Sequence, residues 1–498
     1  MSYLLGIDNG LTNTKAVVFD EDGEPVGTGS VPSQQLHPQP GWVEKDPDQQ
    51  WQDATEAVKA ALDESGIDAG EIAAIGLTGH GDGLYVLNGD GRPARPAITS
   101  LDGRAGEVLE RFNREGVGER ALPLVGEAPF GVQPAVMLAW VKEHEPEVYA
   151  EIGHVLFCKD WLKYRMTGAI TTDPTEASAG FTDVHHQDYA PEALEIYGLQ
   201  ELEGAFPPIV GSAEIAGEVT DEAAEATGLA AGTPVVSGLH DCDASALGCG
   251  SARPGKLTMI AGTFSINEVI STDPVTDPAV LCRNWVEPGQ WMNMGNSAAS
   301  AVNLEWYVQQ LAPEAVEAAK QSGDSPFAFV GREVAEALDD ESRLVYLPFL
   351  YGSPANPEAS AALVGLKGWH TRGHVLRALY EGVVFNHRMH VDALRQHFDV
   401  DEGRVTGGGA RSEVWTQMFA DALDLKISIA ESDEAGALGA AICAGVGAGI
   451  YPSVAEGADR AVKVARTHEP DADRTERLHE GYEHYQQVIE ALSPLWTR

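Results

Sequence analysis

Short apolar runs that end in polar or glycine-rich turns alternate along this chain with longer stretches that carry apolar residues at helical spacing. Residues 3–8 and 15–19 read as two strands, and Asp22-Gly23 turns the chain into a third strand. A helix is predicted from about residue 47 to 62. This mixture of strands and helices predicts an α/β fold.

The later elements follow the same pattern. Strands are predicted at residues 72–77, 84–87, 97–100, 235–238, 257–261, 267–270, 344–347, 404–406 and 427–429. Helices are predicted through most of 105–170 and at 374–398, 412–423 and 435–448.

The strand, turn and strand that open the chain are echoed weakly near its middle. Residues 257–261, the turn Gly262-Thr263-Phe264-Ser265 and residues 267–270 repeat the arrangement of residues 3–19. A chain of 498 residues is also too long for one core. We therefore predict two related α/β halves that meet at a cleft, with domains at 1–249 and 250–498.

One central stretch concentrates polar groups at the end of a predicted strand. His240, Asp241 and Asp243 follow the apolar run that Gly238 ends, and a segment of small residues with helical character comes next. Open α/β sheets bind ligands at the carboxyl ends of their strands, which favours a binding site. An aspartate before such a segment can also simply cap a helix. The local sequence leaves both interpretations open.

Two glycine-containing turns could approach a phosphate. Asp8 to Lys15 combines a glycine, hydroxyl groups and a lysine, and Asp8 ends a strand where a carboxylate associated with Mg²⁺ would be useful. An ordinary polar hairpin is the alternative. Gly407-Gly408-Gly409 follows a strand and precedes a helix, but it lacks the GxGxxG spacing and can be a tight turn. The GxxxxGK[ST] pattern of P-loop enzymes is absent from the sequence.

Composition excludes several classes of protein. The 76 acidic and 33 basic residues give a formal charge of −43, which repels nucleic acid and suits a halophilic host. Apolar runs of the roughly 18 residues that a membrane span needs are absent, so we expect a cytoplasmic protein. The five cysteines are scattered without a CxxC pair, which predicts reduced, mostly buried thiols. His370 and His374 lack an acidic third ligand, so a helix-start role is favoured over a metal site.

The order of these pieces resembles the FGGY carbohydrate kinases along essentially the whole chain. The motifs that carry the resemblance are Asp8 to Lys15, Pro38-Gln39-Pro40-Gly41-Trp42-Val43-Glu44, Lys159-Asp160-Trp161-Leu162 with Thr167-Gly168 and Thr172-Asp173, Gly262-Thr263, residues 361–366 with 374–381, and Gly407-Gly408-Gly409 with residues 437–441. Within the family, residues 140–146, 207–214, 347–353 and 370–372 resemble the L-xylulose kinase branch. Residues 79–83 are also similar to erythritol kinases.

The resemblance implies a two-domain actin/hexokinase-like fold with ribonuclease-H-like cores, an N-terminal domain that binds sugar and a C-terminal domain that binds ATP. It implies Asp241 as the catalytic base, and Mg²⁺ held near Asp8 and Asp241. The substrate would contact Gly81, Asp82, Asp102, Arg104 and His240. The nucleotide would contact Thr12, Asn13, Thr14, Lys15, Gly262, Thr263, Gly408, Gly409 and Ser412.

The function that follows is phosphorylation, by ATP, of a hydroxyl group on a ketopentose similar to L-xylulose. A kinase of erythritol or another sugar alcohol is the alternative within the family. Outside it, the alternative is an actin-like ATPase that phosphorylates no sugar. We expect no nucleic-acid or membrane partner, and a homodimer is possible. For Asp243 the resemblance favours a role as helix cap or surface residue.

Overall fold

The computed structural model describes residues 2–353, 356 and 358–496. The strands are β1 (Tyr3–Asn9), β2 (Asn13–Phe19), β3 (Pro25–Pro32), β4 (Glu44–Lys45), β5 (Ile72–Gly79), β6 (Tyr85–Asn88), β7 (Ala97–Ile98), β8 (Ile152–Leu156), β9 (Thr182–Asp183), β10 (Asp188–Tyr189), β11 (Ile215–Glu218), β12 (Pro234–Val236), β13 (Leu239–His240), β14 (Lys256–Ala261), β15 (Ser265–Ser271), β16 (Leu281–Asn284), β17 (Trp291–Ser297), β18 (Val345–Leu347), β19 (Ala362–Val364), β20 (Glu402–Thr406), β21 (Ile427–Ala430) and β22 (Val464–His468).

The α-helices are α1 (Pro47–Ser65), α2 (Gly106–Arg114), α3 (Val117–Val125), α4 (Pro134–His144), α5 (Pro146–Glu151), α6 (Cys158–Thr167), α7 (Pro174–Ala177), α8 (Pro191–Tyr197), α9 (Asp221–Thr227), α10 (Asp241–Gly248), α11 (Val302–Leu311), α12 (Pro313–Ser322), α13 (Pro326–Glu336), α14 (Arg372–Leu394), α15 (Glu413–Leu423), α16 (Ala435–Gly447), α17 (Val454–Ala461) and α18 (Ala472–Trp496). Within the part of the chain that the structure describes, none of these helices is long and apolar enough to cross a membrane.

The chain forms two compact units. The first comprises residues 1–254, 270–293 and 434–463, and the second comprises 255–269, 294–433 and 464–498. The predicted domain boundary at 249/250 lies close to the end of the longest segment of the first unit, and it stays a prediction.

The sheet of the first unit has the strand order β11-β12-β5-β1-β2-β3, and β13 also pairs with β5. β1 is antiparallel to β2 and parallel to β5, and β12 and β13 are parallel to β5. Because β1, β5 and β13 run in the same direction, their carboxyl ends lie side by side at one edge of the sheet.

The second unit repeats the same arrangement. β14 pairs antiparallel with β15 and parallel with β20, and β20 pairs parallel with β21. The repeat that is weak in the sequence is therefore clear in the topology. In each unit, the first strand of a hairpin pairs in parallel with another strand on its other side.

Helix α16 lies close against the first sheet because the facing residues are small. A Cβ atom added to Gly6 would lie 1.9 Å from the carbonyl oxygen of Ala437, and one added to Gly76 would lie 1.9 Å from that of Ala440. α16 thus belongs to the core of the first unit, beside β1 and β5. The resemblance to the FGGY kinases grouped residues 437–441 with Gly407-Gly408-Gly409, and a shared role of these segments in nucleotide binding stays a prediction.

Most predicted elements are present, with two differences. β8 (Ile152–Leu156) interrupts the stretch predicted to be mainly helical. The prediction missed it because a five-residue strand is too short to stand out between helices.

The prediction of a cap or surface role for Asp243 is wrong. The N-cap of α10 is His240, and Asp243 lies in the first turn with 2% of its surface exposed. All five cysteines are free and buried, as predicted.

Candidate active site

The sheet topology brings three predicted site segments together in the first unit. Asp8 pairs with Thr78 of β5, and Thr78 pairs with Leu239 of β13. Asp8, the turn that follows β5 and Asp241 therefore emerge at neighbouring strand ends. This is the sheet edge at which α/β proteins place their ligands.

Asp241 is the first residue of α10. Its carboxylate is partly exposed, yet protein atoms surround most of it. The side chain keeps 38% of its exposure, so a ligand can reach it. The dense protein around it raises the pKa of Asp241 to about 7, mainly through desolvation and then through the negative charge of Asp8. A backbone hydrogen bond from Gly81 acts in the opposite direction. The group can therefore gain or lose a proton near neutral pH.

Asp8 has a similar environment. Burial raises its pKa to about 6, while the positive charge of Lys15 lowers it and the charge of Glu434 raises it. Lys15 Nζ lies 2.7 Å from Glu434 Oε2. Gly436, in the first turn of α16, lies against the same carboxylate, since a Cβ there would be 2.5 Å from Asp8 Oδ2. The start of α16 thus forms one wall of the site.

The first predicted phosphate turn is exposed at its tip and anchored below it. Thr12 and Asn13 are exposed, whereas Thr14 is buried with its hydroxyl group 3.2 Å from that of Ser33. Lys45, which the sequence analysis missed, is fully buried and donates from Nζ to the carbonyl oxygen of Gly10 at 2.8 Å. Lys45 fixes the turn from inside.

Asp82 is held by an arginine that the sequence analysis did not single out. Arg283 Nη2 donates to Asp82 Oδ1 at 2.8 Å, and its Nε donates to Glu127 Oε2 at 2.9 Å. Its Nη1 lies 3.3 Å from His240 Nε2. Arg283 lies on β16, 43 residues from His240, in no recognisable motif, so only the fold brings it here.

Asp102 and Arg104 pair with each other, and Arg104 Nη1 also lies 2.8 Å from Glu44 Oε1. Asp102 accepts from Arg104 Nε at 2.9 Å and Nη2 at 2.8 Å, and from the backbone N–H of Val43 at 2.6 Å. The guanidinium also lies 3.9 Å from the ring centre of Trp42, and both charged side chains are fully buried. Their predicted contact with substrate stays a prediction, and the visible role is to fix this loop.

In the second unit, the predicted nucleotide residues also gather at neighbouring strand ends. Gly262 follows β14, and Gly407 follows the parallel strand β20. A Cβ on Gly407 would lie 3.2 Å from the backbone nitrogen of Gly262, so the two turns touch. Thr263, Gly408 and Gly409 continue these turns, and Ser412 caps α15 by accepting the N–H of Trp415 at 3.3 Å.

Comparisons with known proteins cover the whole chain. Residues 3–248 match the N-terminal domain of the FGGY family of carbohydrate kinases, and residues 257–448 match its C-terminal domain. The chain is an FGGY carbohydrate kinase.

The relatives of this FGGY kinase agree with that assignment. The L-xylulose/3-keto-L-gulonate kinase of Escherichia coli K12 is 36% identical over 501 residues, covering 100% of this chain and 98% of the relative. A probable L-xylulose kinase of Pasteurella multocida is 32% identical, covering 99% of this chain and 100% of the relative. The crystal structure of xylulose kinase from Rhodospirillum rubrum superposes with a TM-score of 0.88 at 29% identity over 100% of both chains.

These matches establish the predicted two-domain actin/hexokinase-like fold and a sugar phosphotransferase activity. They decide against the actin-like ATPase that phosphorylates no sugar. Carbohydrate kinases use ATP, so the nucleotide prediction holds at the level of the family.

The donor set of this FGGY kinase suits the Mg²⁺ ion that usually accompanies ATP. Asp8 and Asp241 offer carboxylate oxygens, the hard ligands that Mg²⁺ prefers. Each carboxylate resists ionisation, in part because of nearby negative charge. A divalent cation would relieve that repulsion, so the two residues fit the ion.

The FGGY motif around Lys159 forms a fully buried ion network. Lys159 Nζ lies 2.6 Å from Asp160 Oδ1 and 2.6 Å from Asp173 Oδ2. Lys163 Nζ lies 3.0 Å from the same oxygen of Asp160 and donates to Ser237 Oγ at 3.1 Å. Ser237 lies directly before the turn into β13. The network therefore ties the strand that carries His240 to helix α6.

Glu176, close to this network, gives a stability prediction. It is fully buried, neither carboxylate oxygen has a hydrogen-bond partner among the described residues, and burial raises its pKa well above the ordinary range. Folding then takes up a proton at any pH between the unfolded and folded pKa values. The stability present below the unfolded pKa is lost as the pH rises, by about 1.4 kcal/mol per pH unit.

Glu176→Gln should remove this loss, because the amide is neutral at every pH. In urea unfolding, the stability of the variant relative to the wild type should increase from pH 6 to pH 8. Exposed Glu225 offers the control, since Glu225→Gln should leave the pH dependence unchanged. Parallel pH profiles for Glu176→Gln and the wild type would contradict the prediction.

Proposed function

We propose that this kinase transfers the γ-phosphoryl group of ATP to a hydroxyl group of a neutral ketopentose similar to L-xylulose, with Asp241 as the general base. The observation that carries the proposal is an accessible carboxylate with a pKa of about 7 at the junction of three strand ends. A general base works best when its pKa lies near the working pH.

The protein's part in the reaction is to orient the acceptor and take its proton. Asp241 accepts the proton of the attacking hydroxyl group. Asp82 is turned toward the site by Arg283 at Oδ1, and its other oxygen can accept a second hydroxyl group of the sugar. Mg²⁺, where bound, neutralises charge that develops on the phosphates. Little covalent chemistry is left to the protein beyond alignment and proton transfer.

The charges around Asp241 favour a neutral sugar over a sugar acid. Arg283 is already paired with Asp82 and Glu127, and Lys15 is paired with Glu434. A carboxylate on the substrate would meet the negative charges of Asp82 and Asp241, while Arg283 and Lys15 already have carboxylate partners of their own. The E. coli relative's name includes 3-keto-L-gulonate, which carries such a carboxylate, so the two substrate classes can be compared directly.

The remaining assignments belong to the same proposal. The turn residues Thr12 to Lys15 and the second unit's Gly262, Thr263, Gly408, Gly409 and Ser412 would contact ATP, with sugar bound by the N-terminal domain. The homodimer, the cytoplasmic location and the halophilic host stay predictions from the sequence.

An ADP-release assay with Mg²⁺ and ATP in molar KCl tests the proposal. L-xylulose should stimulate ADP release, with kcat/KM at least about tenfold above that for 3-keto-L-gulonate. One like-charge contact between the sugar acid and the site costs ~1.4 kcal/mol, which corresponds to a tenfold difference. Reactions without a sugar are the control. A preference for the sugar acid would contradict the neutral-substrate proposal. A preference for erythritol would establish the alternative, a sugar-alcohol kinase.

A further inference from the structure

We propose that His387 is a positioning residue for the nucleotide: its two hydrogen bonds hold the Gly262-Thr263 turn in shape before ATP binds. This inference rests on the proposed contact of that turn with ATP. All the residues that carry it belong to the second unit.

The Gly262-Thr263 turn is fixed by a chain segment that lies directly against it. The turn joins β14 to β15, and Thr263 is exposed at its tip. The carbonyl oxygen of Gly262 accepts the backbone N–H of Ala301 at 2.9 Å. Ala301 comes just before helix α11, so the position of residues 299–301 helps to set the position of the turn.

His387 connects this segment to the strand that leaves the turn. Its ring lies fully buried on α14. Nε2 lies 3.0 Å from the hydroxyl oxygen of Ser300, the residue before Ala301. Nδ1 lies 2.7 Å from Oδ1 of Asn267, which lies on β15. One side chain therefore links the strand that continues from the turn to the segment that binds the carbonyl group of the turn.

The direction of each hydrogen bond follows from the partners. The carbonyl oxygen of Gly295 can only accept, so the part of the Asn267 amide that lies 3.1 Å from it is the NH₂ group. The amide oxygen of Asn267 therefore faces the ring and accepts from Nδ1. Burial lowers the pKa of His387 to about 3, so the ring is neutral and Nε2 accepts from the Ser300 hydroxyl group. A ring turned by 180° would place carbon atoms opposite both partners.

A ring that only filled space would not need these partners. Phe419 packs nearly perpendicular to the ring of His387, with the ring centres 5.0 Å apart, so the site also has an apolar wall. Burying polar groups is costly unless each has its partner, and a fully satisfied set then specifies one geometry. Donors that already have their final positions lose no energy to reorganisation when a phosphate arrives. The hydrogen bonds of His387 prepare the turn in this way.

Two substitutions remove these hydrogen bonds to different extents. His387→Phe keeps a ring of similar size and loses both bonds, whereas Ser300→Ala loses only the bond at Nε2. We expect each variant to raise Kd for ADP and KM for ATP about tenfold, the factor that a typical hydrogen bond contributes. Binding that is equal before and during the reaction changes KM alone, so kcat and KM for the sugar should stay within about threefold of the wild type. Calorimetric titration with ADP and steady-state kinetics with L-xylulose measure these effects.

Tyr346→Phe is the matched control for Ser300→Ala, because it also removes one buried hydroxyl group from the second unit. The Tyr346 hydroxyl group donates to Asn303 Oδ1, on α11, at 2.9 Å. Its loss should lower the melting temperature about as much as Ser300→Ala does, with Kd for ADP within about threefold of the wild type. Adding Ser300→Ala to His387→Phe should cause little further loss of ADP affinity, since both substitutions break the same hydrogen bond.

The outcomes separate this inference from the proposed function. Unchanged ADP affinity in Ser300→Ala, or equal losses in Ser300→Ala and Tyr346→Phe, would overturn the inference even if His387→Phe fails to fold. A lower kcat or a higher KM for the sugar without a change in ADP affinity would do the same. If the wild type phosphorylates no sugar while the variants still bind ADP more weakly, the proposed function fails and the inference stands. A wild type that binds no ADP would overturn both.

Discussion

Asp241→Asn should lower kcat for sugar phosphorylation by about 10²- to 10⁴-fold, the usual contribution of a general base, while binding of ADP is largely retained. The amide has nearly the shape of the carboxylate but cannot accept the proton of the attacking hydroxyl group. Steady-state kinetics with L-xylulose and calorimetric titration with ADP measure the two effects separately.

The substitution should not destabilise the protein, which separates catalysis from folding. The pKa of Asp241 is raised because its charge is desolvated and faces Asp8, so the ionised group is unfavourable in the ligand-free fold. Asparagine removes that charge, and the melting temperature without ligands should stay equal or rise at pH 8. Asp459→Asn, at a side chain that is 61% exposed, is the control and should leave kcat unchanged. Near-normal turnover by Asp241→Asn would overturn the assignment of the base.

Local pattern was enough to predict the elements that carry the site. β1, β2, β5 and α10 follow from short apolar runs and the turns that end them. Asp8 lies next to the end of β1, and Asp241 is the first residue of α10. Neighbouring parallel strands end at the same edge of a sheet. The sequence could therefore predict that Asp8 and Asp241 lie close together.

The parts that the sequence did not reveal depend on long-range packing. Arg283 reaches His240 and Asp82 only because β16 belongs to the first unit. Asp102 and Arg104 were predicted to contact the substrate, and the sequence did not reveal that they also pair with each other. Asp243 looked like a surface or cap residue, yet α10 turns it inward. A charged side chain in a sequence does not disclose which partner neutralises it.

Lys159→Met should destabilise the protein by about 3–5 kcal/mol, the typical cost of removing one partner from a buried ion pair. Lys159 lies 2.6 Å from both Asp160 and Asp173, and all three side chains are fully buried. Methionine fills a similar volume but leaves the Asp173 carboxylate without this cation. In a chain of 498 residues, we expect a drop in melting temperature of roughly 3–5 °C.

The expected loss should persist in molar KCl, because ions in solution cannot screen a pair that water does not reach. Arg253→Met is the control: it breaks the exposed pair of Arg253 with Asp459 and should cost about 0–1 kcal/mol, less at high salt. Adding Asp173→Asn to Lys159→Met should restore part of the stability by removing the unpaired charge. A melting temperature for Lys159→Met within about 2 °C of the wild type would show that the network contributes little, and the FGGY motif at 159–160 would then need another explanation.

Because Ser237 joins this network to the strand before His240, Lys159→Met should also lower kcat at temperatures where the variant remains folded.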